Sequence, residues 1–138
     1  MKVLVLVKAN PDSEAGAPPD GALLAAMMKF NEELMKAGVL LDLGGLTPSA
    51  KGARVRFAGA SRSVVDGPFA ESKELVAGYW LLQVKSLAEA IEWMKRCPNP
   101  TGADGELELR PLTDVGDFPE ATAETLAAAA RIGEQLGR

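Results

Sequence analysis

Residues 66–74 read DGPFAESKE, which puts a carboxylate, an aromatic ring and a lysine flanked by acids on one short connection. Asp66 is the group there that could do chemistry. As a general acid or base it would need a raised pKa and a substrate positioned by Asn31 or Tyr79. As a binding group it would be a carboxylate aimed into a cavity, with Phe69 for apolar contact and Lys73 for an anionic ligand. The same residues carry a structural reading. Asp66 then caps a turn, Phe69 plugs it, and Glu71, Lys73 and Glu74 form a solvated loop face. Gly67 can adopt φ > 0 and Pro68 fixes its own φ, so together they make a rigid corner. An Asp before a turn usually accepts from the N–H two residues on. Pro68 has none, so Asp66 must turn to the Phe69 N–H or to a group outside the loop.

The rest of the composition narrows the chemistry. There is no histidine and one cysteine, Cys97. Histidine-based triads and dyads are excluded, and neither a metal nor a cofactor is expected. Acid–base work near neutral pH would fall to a shifted carboxylate, lysine or tyrosine. Cys97 ends a helix in apolar surroundings and reads as structural. One cysteine excludes a disulfide within the chain and suits a reducing compartment. The net charge of -4 comes with no basic stripe, which argues against direct nucleic-acid binding. Arg54 and Arg56 alternate on one strand face and read as solvated. The run VLVLV before Lys8 is too short for a signal-peptide core or a membrane span. A cytoplasmic protein with no membrane partner is therefore expected. An apolar share of 47% and 138 residues fit one globular domain spanning 1–138.

The elements that would position these groups follow from periodicity. VLVLV at 3–7 reads as a strand covered on both faces. ANPDSEAGAPPDG at 9–21 reads as a loop. A helix is predicted over Ala22–Ala37 with Gly38 just past its end. Leu23, Leu24, Met27, Met28, Phe30, Leu34 and Met35 fill its inner arc, and Asn31 falls in the middle of them. A buried amide needs partners, either a backbone group or a ligand. Strands are predicted at 39–46 and 75–84, a hairpin at 53–57 and 61–65, and an alternating strand at 106–110. Tyr79 and Trp80 must point to opposite faces of their strand. Ser86 and Glu89 form a capping box that opens a second helix, which CPNP at 97–100 ends. An Ala-rich helix is predicted from Pro119 to the C-terminus.

Strand, helix, strands, helix, strand and an extra helix make a ferredoxin-like α+β pattern with an inserted hairpin. Helices on one face leave the second face of the sheet uncovered. The last helix could cover it, and a second subunit's sheet would do so more completely. The expectation is a homodimer with Asn31 and Asp66 bordering one cavity between the first helix and the sheet, near the dimer interface.

The run VVDGPFAESKELVAGYWLLQVKSLAEAIEWMKRCP, with FNEELMKAGVLLDLGGLTPS upstream and ELELRPL downstream, resembles the DGPF, or YCII-related, family. The resemblance extends to about residue 112. It implies a ferredoxin-like fold assembled as a dimeric α+β barrel. Some relatives are joined to sigma-factor domains, which implies a sensing or regulatory context and a regulatory protein partner. Others carry a His-Asp pair proposed as an active site, which a chain without histidine cannot reproduce. Two functions are therefore compatible with the sequence: a module binding a small ligand or partner through Asn31, Asp66, Phe69, Lys73 and Tyr79, and an enzyme using Asp66 as acid or base.

Overall fold

The computed structural model describes residues 1–71, 74–101 and 104–137. The VLVLV run becomes β1 (Lys2–Lys8), and β2 (Leu40–Gly45), β5 (Val76–Gln83) and β6 (Leu107–Pro111) join it in an antiparallel sheet ordered β2-β5-β1-β6. Two helices, α2 (Gly21–Lys36) and α3 (Leu87–Met94), connect β1 to β2 and β5 to β6. This is the connectivity of a ferredoxin-like α+β fold. The hairpin β3 (Ala53–Ala58) and β4 (Ser61–Asp66) is inserted between β2 and β5 and forms its own two-stranded sheet.

Local chemistry sets the helix ends. The Asp20 carboxylate accepts the Leu23 N–H at 2.7 Å and caps the start of α2, satisfying one of its orphan donors. Past its last turn Gly38 takes φ +75°, a conformation that suits glycine. Ser86 caps α3 through the Glu89 N–H at 3.1 Å, and the Glu89 carboxylate accepts the Lys85 N–H at 2.7 Å. The segment read as a plain loop contains a short helix, α1 (Pro11–Glu14). Asn10 and Ser13 cap it reciprocally, each side chain accepting the other's backbone N–H. Proline at the first helical position costs no hydrogen bond, which reconciles the Pro-rich sequence with a helical turn.

The core lies between the sheet and helices α2 and α3. Val3 and Val5 of β1, Trp80 and Leu82 of β5, Phe30 and Leu34 of α2, and Ala90 and Met94 of α3 are buried together. Each fully buried valine or leucine contributes about 1.5–3 kcal/mol. Only part of the inner arc of α2 is covered, with Phe30 and Leu34 buried. Leu24, Met28 and Met35 are exposed although they lie on that arc.

The opposite sheet face carries Leu4, Leu6, Tyr79 and Leu81, all half-buried. The Tyr79 ring lies against Gly44, where an added Cβ would sit 2.9 Å from the ring. Toward β6 the face becomes charged, with Glu108 3.3 Å from Arg110 and 3.9 Å from Lys8. The Ala-rich helix, α4 (Ala123–Gln135), begins at Thr122, and none of its described side chains is buried. Its end, Leu136, borders a depression of about 450 Å³ with Lys2, Leu81 and Gln83.

Candidate functional site

A cleft of about 680 Å³ opens between α2, the segment 10–20 and the β2–β5 edge. Its walls are mostly apolar: Leu23, Leu24, Met27 and Met28 from α2, Leu43 and Leu46 from β2 and beyond, Trp80 from β5, and three prolines, Pro18, Pro19 and Pro48. Polar side chains border it too, and Asn31 is the one tied to the core aromatic Trp80. Its Oδ1 accepts the Trp80 indole N–H at 2.8 Å. The indole is held edge-on by Phe30, with ring centroids 6.1 Å apart and planes at 87°, a favourable aromatic geometry. The amide predicted to need a partner thus finds one in a side chain rather than the backbone.

The DGPF connection sits elsewhere and has a tertiary reason for its residues. The Gly67 N–H donates to the Gly52 carbonyl at 3.1 Å. A Cβ at position 67 would lie 1.7 Å from the Ser49 carbonyl oxygen, so only glycine allows this approach. Gly67 is not in the left-handed region, and its role is close contact instead of a positive φ. The Phe69 N–H donates to Ser49 Oγ at 3.0 Å, which takes away the local donor considered for Asp66. Ser49 is in turn bonded through its N–H and Oγ to the Glu14 carboxylate. A chain of contacts thus runs from α1 through Ser49 to the DGPF loop. Phe69 is half-buried beneath the Arg54 guanidinium, 3.8 Å from its centroid. It is a covered ring, not a fully buried plug, and Arg54, exposed as expected, stacks over it.

The sequence profile of the YCII-related domain matches residues 1–116. The chain belongs to the YCII-related family. It is similar to an uncharacterised protein of Rhizobium meliloti (strain 1021), with 31% identity over 93 residues, 67% of this chain and 75% of that one. Among solved structures it is similar to 5-chloro-2-hydroxyhydroquinone dehydrochlorinase from Burkholderia phenoliruptrix AC1100, in complex with 2,5-dihydroxybenzoquinone. That likeness has a TM-score of 0.48 and 16% identity, covering 82% of this chain and 94% of the other.

In this YCII-related chain the residues singled out from sequence do not converge. Asn31 and Tyr79 border the cleft. Asp66 ends β4 opposite Ala53, is exposed, and lies outside the cleft's lining. Phe69 is also outside it. The cleft that Asn31 borders therefore does not take in Asp66, which ends the inserted hairpin. Lys73 lies outside the described residues. The Tyr79 hydroxyl donates to Asp42 at 3.1 Å on the face away from the helices. That bond and the nearby negative charge raise its pKa, since both favour the neutral phenol. Burial alone pushes the Cys97 thiol up to about 11, as fits a structural cysteine. Glu14 and Ser49 were not singled out, because nothing local in sequence pairs positions so far apart. Leu24 and Met28 did leave a signal, an apolar arc too wide for one packing partner. Among the described residues no helix is long and apolar enough to cross a membrane.

Proposed function

We propose that this chain is a homodimeric module that binds a small, largely apolar molecule in the cleft between α2 and the β2–β5 edge. One observation carries the reading. Leu24, Met28, Leu43 and Leu46 keep 49%, 49%, 39% and 51% of their surface exposed, and all four line the same concavity. Exposed apolar side chains scattered singly need no explanation, whereas a group of them around a cleft of ligand size does. Unbranched methionines adapt to varied ligand shapes. Asp66 lies off this cleft, so no reaction is assigned to it.

The test is a thermal-shift screen against metabolites, repeated on Met28→Glu. A compound at 100 times its Kd adds about 2.7 kcal/mol to stability. The expected result is a set of apolar compounds that raise the melting temperature of the parent and lose the effect in the variant. Compounds that stabilise both proteins equally would overturn the cleft as the site.

The homodimer rests on Leu4, Leu6 and Leu81 being half-buried on the face away from the helices, with α4 burying no side chain there. A second sheet packed on that face would remove these groups from water. Light scattering during gel filtration is expected to give twice 14.5 kDa. A monomer at micromolar concentration would exclude the paired sheets.

A further inference from the structure

We propose that the cleft selects neutral, largely apolar molecules carrying a hydrogen-bond-accepting oxygen, such as a ketone or amide carbonyl, and that Asn31 is the selecting residue; this rests on the reading of the cleft as a ligand site. An indole N–H can only donate. The bond from Trp80 Nε1 therefore fixes which end of the Asn31 amide faces the indole: Oδ1, at 2.8 Å. A flipped amide would set two donors against each other and lose that bond. The Phe30 edge contact and the 5% exposure of Trp80 leave the indole no room to turn away. The other end, Nδ2, keeps two N–H donors and gives neither to a described residue. It is not sealed from solvent either, since no buried side-chain nitrogen or oxygen lacks a partner among the described residues. Those donors belong to a residue of the cleft wall whose neighbours Leu24, Met27 and Met28 are apolar.

An apolar wall holding a pair of open donors is complementary to an apolar molecule with one acceptor oxygen. The charge of the described residues around the cleft disfavours the anionic version. Asp12 and Asp20 border it, and Lys8, also on its border, has its ammonium 3.9 Å from Glu108. A carboxylate entering beside Asn31 would meet acids at the rim and, among the described residues that line the cleft, no uncommitted cation, so the neutral carbonyl is favoured.

Acetophenone and ethylbenzene test this directly, because they share a skeleton and differ by the carbonyl. Both are titrated into the ¹⁵N-labelled full chain, and the Asn31 side-chain amide and the Trp80 indole signals are followed. Asn31→Asp is the informative variant: it keeps an acceptor for the indole and replaces the open donors with an acceptor. The ratio of the ethylbenzene Kd to the acetophenone Kd is expected to fall about three- to tenfold in the variant, the equivalent of one lost hydrogen bond. A second measurement needs no variant: acetophenone shifts the Asn31 amide protons downfield and ethylbenzene does not. An unchanged ratio, or equal amide shifts with both compounds, would overturn the role of Asn31 while leaving the cleft as a ligand site. Absence of any shift with either compound would overturn the cleft reading and the selection together.

Discussion

Replacing Gly67 with alanine tests why the connection between β4 and β5 carries a glycine. The added Cβ would lie 1.7 Å from the Ser49 carbonyl oxygen and 2.5 Å from its carbon, whereas ordinary contact begins at 3.4 Å. Both obstacles are backbone, so no side chain can swing aside. The loop has to retreat, and its two anchors, Gly67 N–H to Gly52 and Phe69 N–H to Ser49 Oγ, go with it. Each is worth about 0.5–1.5 kcal/mol. The Arg54 guanidinium over Phe69 adds about 0.5–1 kcal/mol for an accessible cation–π pair. The expected loss is about 1.5–4 kcal/mol, read as a fall in melting temperature of about 5–14 °C for a domain of this length. Thermal melts by circular dichroism measure it, and new protease cleavage near 66–75 should accompany it. Gly21→Ala is the matched control. A Cβ there meets nothing within 4 Å, and alanine at the start of α2 is expected to hold or raise the melting temperature. A Gly67→Ala chain that melts with the parent and resists protease equally would refute the close-contact argument.

Three further outcomes follow from the described geometry. Asn31→Leu leaves the buried Trp80 indole N–H without its acceptor and is expected to cost about 1–3 kcal/mol in chemical denaturation; an unchanged midpoint would mean the bond is idle. Tyr79 is the single tyrosine, so absorbance titration reads it alone. Its pKa is raised chiefly by the hydrogen bond to Asp42, and Asp42→Asn is expected to bring it back toward the usual value near 10. Because the folded value exceeds the unfolded one, this contribution to stability is intact below about pH 10 and is lost as pH rises through the folded pKa. Cys97, pushed up to about 11 by burial, is expected to alkylate far more slowly than free cysteine at pH 8 and to catch up only on unfolding.

Local signals were legible and long-range ones were not. The Ser86 cap, Gly38 beyond α2, the apolar β1 run and the alternating β6 each announce themselves within a few residues, and they suffice to order the main sheet. The capping pair Asn10 and Ser13 was also readable, but the surrounding prolines masked it as a loop. The requirement for Gly67 comes from Ser49, and the anchor of Ser49 comes from Glu14. No periodicity links such positions. The same limit applies to the site. A helical wheel places Asn31 on the inner arc of α2, but it cannot say that Trp80 is the partner. Nor can it say that Asp66, at the end of a hairpin between β2 and β5, is left out of the cleft's lining.

The sheet order also sets a sequence of events during synthesis. β1 is made first, yet its neighbours come late: Lys2 pairs with Gln83, and Val3 with Pro111. Until β5 emerges, VLVLV has both of its edges unpaired, an apolar β-prone segment with no partner to shield it. Helix α2 and the β3–β4 hairpin need only local contacts and can form while β1 waits. The lysines at 2 and 8 that bracket the apolar run sit where charged gatekeepers protect such segments. They guard the strand that is completed last although it is translated first.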